Sequence, residues 1–261
     1  KDDGGNTEPP QPIILSDDGN AITLANGVLQ LTISRSPFRI TIPNGPLTAV
    51  FTGAGPLEGQ VQNSFDRTDV TVSIEESGPM RTVIRAEAPA RYTSAANHTH
   101  GWAIRLYAYA GKPFAKVDYQ LQNSAKTTTY SAPLYFESMT LRLPTGALTT
   151  PNQVRADIVN GDFGAKPLGT LNLGPVSSII RNFWQTWPNG LSVDSNGLLS
   201  VELWPSWSAQ FYQGRISPLG FYWMDDMQQT YKEVLLNFGS LSATELTNLA
   251  KTFQYHPVVT L

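Results

Sequence analysis

Two of the three histidines, His98 and His100, stand two residues apart. On an extended strand this spacing puts both imidazoles on one side, which suits a pair of metal ligands. The chain has no cysteine and no acidic residue adjoins the pair, so Asn97-His98-Thr99-His100-Gly101 reads as a solvated loop between strands. No metal site and no cofactor are expected, with a divalent cation left open. Hydrolysis of a glycosidic bond needs two carboxylates facing each other across a groove. Asp225, Asp226 and Glu233 are the acids set among aromatic residues. Neighbours on a strand point to opposite faces, so the two aspartates do not supply that pair. Glu202 reads as a solvated strand residue.

The aromatic residues say more. Tryptophan stands at 102, 184, 187, 204, 207 and 223, and two stretches, Trp184-Gln185-Thr186-Trp187-Pro188 and Trp204-Pro205-Ser206-Trp207, set indoles beside proline at strand ends. An indole face stacks on the C–H face of a sugar ring. The same side chain also fills the space between two sheets, burying roughly 150–250 Å². Any single indole is therefore expected in the core, and at least one of the set in a sugar-binding groove. Arg105, Tyr107 and Tyr109 alternate along a strand and make a polar-aromatic face that suits a ligand or sheet packing equally.

The elements that must hold these residues follow a period of two. Leu29, Leu31 and Ile33 alternate with polar neighbours, as do Val70, Val72 and Ile74, and Met139, Leu141 and Leu143. Trp102, Ile104, Leu106 and Ala108 share one face of a strand that turns at Gly111-Lys112-Pro113. The return strand sets Ala115, Val117, Tyr119 and Leu121 opposite Lys116, Asp118, Gln120 and Gln122. Further strands are expected over roughly 198–204 and 231–238, with a loop-rich excursion over 145–175. One helix is expected. Ser242-Ala-Thr-Glu245 is a capping box, Leu246, Leu249 and Phe253 recur at helical spacing, and Pro257 closes the segment. The fold class is all-β: a large antiparallel β-sandwich with one C-terminal helix, a single domain over 13–261.

Composition narrows the partners. Charged residues are only 15% of the chain and the net charge is −3, with no basic stretch, so no nucleic-acid partner is expected. No apolar run reaches the roughly 20 residues of a membrane span. Residues 1–12 are polar and rich in Gly and Pro. They read as a flexible tether behind the processed end of an exported bacterial protein or lipoprotein, or equally as a domain-boundary linker. On the first reading the protein lies outside the cell or on its surface, with a lipid anchor upstream of residue 1.

Three stretches in order carry a resemblance: Ser77-Gly78-Pro79-Met80-Arg81-Thr82-Val83-Ile84-Arg85, then Arg105-Leu106-Tyr107-Ala108-Tyr109-Ala110-Gly111-Lys112-Pro113-Phe114, then Phe183-Trp184-Gln185-Thr186-Trp187-Pro188-Asn189-Gly190-Leu191-Ser192-Val193. Over roughly 20–257 the chain resembles the central β-sandwich domain of the exo-acting rhamnogalacturonan lyase family of secreted bacterial proteins. The resemblance implies a supersandwich of galactose-mutarotase-like outline and β-elimination on a pectic polysaccharide. It also implies a small β-barrel before this domain and a helical toroid after it, neither of which is in this sequence. A lyase needs a base for the proton beside a uronate carboxylate and a cation to neutralise that carboxylate. With the resemblance, Lys232, Tyr231 and Arg105 are the candidate catalytic residues. Tyr107, Tyr109, Arg181, Trp184, Trp187 and Glu233 are the candidate substrate-binding residues. Relatives often carry Lys-Thr-His-Glu where this chain has Thr230-Tyr231-Lys232-Glu233, so Lys232 replaces a histidine and implies altered or lost activity.

Two other readings stand beside this one. A non-catalytic module that binds polysaccharide or oligosaccharide needs only the aromatic groove. A structural subunit of an extracellular filament would donate residues 1–15 as a strand to a neighbour's sheet edge, giving self-association.

Overall fold

Period-two alternation becomes antiparallel pairing throughout. The computed structural model describes residues 9, 11–123, 132–156, 167–209 and 220–255. The chain begins with a meander of β1 (Ile14–Asp17), β2 (Ala21–Ala25), β3 (Gln30–Arg35), β4 (Phe38–Ile42) and β5 (Gly45–Gly53), and β6 (Val61–Asn63) folds back on β5. It crosses to a second sheet with β7 (Thr71–Ser77) and β8 (Arg81–Ala88). A small hairpin of β9 (Arg91–Ser94) and β10 (Asn97–Thr99) follows, and then the expected long hairpin of β11 (Gly101–Tyr109) and β12 (Phe114–Asn123). After β13 (Leu134–Pro144) and β14 (Asn152–Ala156) in the first sheet come β15 (Thr170–Asn172) and β16 (Ser177–Ile180) in the second. The chain ends with β17 (Asn189–Val193), β18 (Leu198–Trp204), a short α1 (Ser206–Ala209), β19 (Tyr222–Met224), β20 (Gln228–Asn237) and α2 (Ala243–Gln254).

The larger sheet has 11 strands and runs β1-β2-β3-β4-β5-β13-β18-β17-β14, with β6 on β5 and β19 on β13. The other has seven, in the order β15-β16-β20-β12-β11-β8-β7. Strand β7 is an edge, and its register with β8 shifts between Ile74 and Glu76. The inner faces of the sheets meet in one apolar cluster. Trp102, Ile104, Leu106 and Ala108 on β11 and Ala115, Val117, Tyr119 and Leu121 on β12 are all buried. From the opposing sheet, Phe38 lies 5.6 Å from the Trp102 ring. Burial of this kind is the main stabilising term in a sandwich.

Helix α2 starts as the capping box dictates. Ser242 Oγ accepts from the Glu245 N–H at 3.2 Å, and the Ser242 N–H donates to the Glu245 carboxylate at 2.8 Å. Its buried face is Leu246 and Ala250, flanked by half-buried Leu249 and Phe253, and it covers Ile179 of β16 and Leu235 of β20. The helix therefore sits outside the smaller sheet.

Several expectations need correction. His98 and His100 are not solvated: they are 3% and 1% exposed. His98 Nε2 is 2.9 Å from Asn123 Oδ1, and the Asn123 amide donates to the carbonyls of Ala132 and Met224, so the imidazole is the donor. His100 Nε2 lies 2.8 Å from Ser64 Oγ and its ring stacks on Phe51 at 4.0 Å. Burial holds the His100 pKa down to about 3, so the ring is neutral. The two imidazoles meet separate partners, Asn123 and Ser64. The excursion over 145–175 contains β14 and β15. Glu202 is half-buried: it accepts from Ser192 Oγ and Trp207 Nε1, each at 2.6 Å, over Gly190, where a Cβ would come within 2.3 Å of it. Asp225 and Asp226 occupy the turn before β20, not a strand. Of the segment expected to exchange, Ile14 and Leu15 pair within the chain on β2; residues 1–8 and 10 lie outside the described residues.

Candidate functional site

Alternation along β20 divides the candidate residues between two surfaces. Lys232, Val234 and Leu236 face the core, while Tyr231 and Glu233 face outward. Across the smaller sheet the register sets Arg105 opposite Asp118, and Asp118 opposite Glu233, in one outward row.

That outward row is closed on itself. Arg105 donates twice to Glu75, from Nε at 2.7 Å and from Nη2 at 3.1 Å. The hydrogen bond from Arg105 holds the Glu75 pKa below the usual carboxylate range. Lys116 Nζ lies 2.8 Å from Glu233 and 3.1 Å from Asp118, and 4.3 Å from the centre of the Tyr107 ring. Burial, then the Asp118 partner, pushes the Tyr107 hydroxyl up to about 12. Arg181 Nη1 donates to Glu233 Oε2 at 2.7 Å. Tyr109 packs against Phe114 at 5.7 Å. Among the described residues, Arg105, Lys116, Asp118, Arg181 and Glu233 thus each have an ion-pair partner in this face.

Two adjoining hollows form where β20 begins. The larger, of about 650 Å³, is an aromatic cleft walled by Trp187, Trp204, Trp223, Tyr222 and Phe136, with Gln229 and Thr230 at its edge. Phe136 buttresses two of the rings, with centroids 6.2 Å from Trp204 and 5.3 Å from Tyr222. The Tyr222 hydroxyl donates to the Pro205 carbonyl at 2.8 Å, which fixes its ring. The smaller hollow, of about 270 Å³, is a polar recess walled by Arg181, Asn182, Thr186, Tyr231, Lys232 and Glu233. Gln229 and Thr230 border both hollows, so they are neighbours in one depression.

Lys232 stands inside the sandwich and is 6% exposed. Its ammonium donates to the Thr186 carbonyl and lies 5.4 Å from the Trp204 ring. Burial pulls its pKa down to about 7. The structure thus brings Arg181, Tyr231, Lys232 and Glu233 to one recess and Trp187 to the cleft beside it. Trp184 is half-buried against the core. Arg105, Tyr107 and Tyr109 stand apart on β11, with β12 between them and β20.

Sequence reasoning missed Phe136, Tyr222, Gln229, Thr230 and Thr186. The run Phe221-Tyr222-Trp223 was a usable signal, because three successive aromatics cannot all face one core. Phe136 gave none, since alternating strands make every apolar residue look like core.

No protein-family model matches this chain, and no curated protein matches it. Among solved structures it superposes on a protein assigned as an aldose 1-epimerase from Klebsiella pneumoniae subsp. pneumoniae MGH 78578. The TM-score is 0.52 and the identity 10%, over 94% of this chain and 87% of that one. A GH36 α-galactosidase from Geobacillus stearothermophilus gives 0.46 at 8% identity, over 90% of this chain and 42% of that one, too distant to argue from. The fold is therefore a large antiparallel β-sandwich of galactose-mutarotase-like outline.

Proposed function

We propose that this chain binds carbohydrate, with a sugar ring seated in the aromatic cleft and its hydroxyls met by Gln229 and Thr230. The observation that carries this reading is the cleft itself. Its volume of about 650 Å³ falls within the usual size of small-molecule sites, and it combines indole faces with a few polar groups at the edge. Superposition on an aldose 1-epimerase supports the reading through shared fold only. An extracellular polysaccharide or its fragments is the ligand class proposed. Titration with rhamnogalacturonan oligosaccharides is expected to shift tryptophan fluorescence saturably; an unchanged spectrum at millimolar ligand overturns the reading.

A second reading is elimination on a uronate, as in an exo-acting rhamnogalacturonan lyase. One observation favours it: burial leaves Lys232 with a pKa of about 7, in the same recess as Arg181. A neutral amine there could take the proton beside the carboxylate while the guanidinium neutralises the charge. Incubation with rhamnogalacturonan would then generate absorbance from a new double bond, and a flat trace removes this reading while leaving the first intact.

A further inference from the structure

The loop that carries Trp184 and Trp187 is bonded from three sides. From the core, Lys232 donates to the Thr186 carbonyl. From β17, the Asn189 amide donates to the carbonyls of Phe183 at 2.6 Å and Thr186 at 3.0 Å. From α2, Gln254 Oε1 accepts from the Asn182 N–H at 2.5 Å, while its Nε2 donates to the carbonyls of Leu168 at 3.1 Å and Ile180 at 2.9 Å. Within the loop, the Thr186 N–H and hydroxyl both donate to the Asn182 carbonyl. Asn182 itself has φ 50°, a left-handed conformation that asparagine adopts more readily than most residues with a side chain. Phe183, 1% exposed, anchors the loop over Gly169, where a Cβ would come within 2.3 Å of its ring.

A buried ammonium is a costly way to hold a loop, because removing a charge from water is unfavourable without a counter-charge. Among the described residues Lys232 has none on its side of the sheet. Glu233 points outward to Lys116 and Arg181, Tyr119 is the partner on β12, and Trp204 on β18 offers a ring face. A methionine of similar length would fill the same space without that penalty. Thr186 would keep the Asn189 amide as a partner, so the substitution leaves no orphaned carbonyl.

We infer that Lys232 and Gln254 are positioning residues for the cleft: they hold the 182–188 loop, and with it Trp187, against β20 and α2, and Lys232 does so at the expense of stability. The inference rests on the carbohydrate reading for its ligand, and on loop geometry alone for the rest.

Lys232→Met in the full chain tests it. The expected result is a higher Tm together with hydrogen exchange in 183–188 at least about tenfold faster, the scale of one charge-assisted hydrogen bond, and no change in β11 or β12. Affinity for rhamnogalacturonan oligosaccharides should drop by a similar factor. Because Lys232 titrates near neutrality, wild-type affinity should weaken from about pH 6 to about pH 8.5 as the ammonium becomes an amine, and Lys232→Met should show no such slope. Wild-type exchange and affinity in the variant overturn the inference, as does a lowered Tm with an intact loop. Should Lys232→Met fail to fold, Gln254→Ala and the wild-type pH slope decide: faster loop exchange with the slope present supports it, and neither present overturns it. Should wild type bind none of the oligosaccharides, the carbohydrate reading falls alone, and loop exchange still judges the positioning role.

Discussion

Strand β20 serves two surfaces built on different principles. Outward, Glu233 joins Lys116, Asp118 and Arg181 in a lattice where each charge answers another. Inward and at the strand's start, Lys232, Gln229 and Thr230 border two adjoining hollows, one walled by aromatic rings and the other a polar recess that Arg181, Asn182 and Glu233 also line. The outer face spends its charges on itself, so it offers a ligand little unpaired chemistry. The cleft sets aromatic rings around a concave space with Gln229 and Thr230 beside them, the lining that small-molecule sites share. Polarity alone does not mark a candidate site; concavity is also needed.

Four measurements would break or sharpen this contrast. Phe136→Ala should have the largest effect, since it removes a fully buried ring beneath Trp204 and Tyr222. A loss of about 3–5 kcal/mol in urea unfolding is expected; a loss under about 1 kcal/mol would mean the cleft wall stands without its buttress. The next effect is one of pH. Lys232 is lowered to about 7 in the fold, against an ordinary 10.5. Between these values the unfolded chain holds a proton that the folded chain has shed, so stability rises with pH. From about pH 7 to about pH 9.5 the gain attributable to Lys232 should be about 3 kcal/mol. It should vanish in Lys232→Met, and equal slopes in both proteins would place the ammonium in contact with water.

Trp187→Ala should weaken oligosaccharide binding by about 2 kcal/mol, roughly thirtyfold, as measured by calorimetry. The smallest effect belongs to the outer face. Arg105→Gln breaks a half-exposed pair with Glu75 and should cost at most about 1 kcal/mol, with binding unaltered. A binding loss there equal to that of Trp187→Ala would reverse the contrast and move the site onto β11.

Much of the fold was legible because alternation is a local property. The β11–β12 hairpin, the period of β13 and β18 and the capping box at Ser242 each follow from adjacent residues. The site was legible only in pieces. Trp187, Lys232, Arg181, Tyr231 and Glu233 could be nominated one by one, but Arg105, Tyr107 and Tyr109 looked equally suitable. What separates them is which side of a sheet each faces and whether a partner waits there. Glu75, which occupies Arg105, lies 30 residues away in sequence, and no spacing rule reaches that far. The two histidines illustrate the same limit, since distant Asn123 and Ser64 decide their fate.

The register shift in β7 has a consequence for how copies of this protein meet. An open sheet edge is a template for any passing strand unless its hydrogen-bond ladder is broken or charged. Strand β7 has both protections: the shift between Ile74 and Glu76 interrupts the ladder, and Glu75 and Glu76 set two carboxylates beside the break. A foreign strand laid along this edge would lose pairing where it meets the ion pairs that Glu75 and Glu76 make with Arg105 and Arg81. At high concentration, this rim of the smaller sheet should stay free of fibril growth.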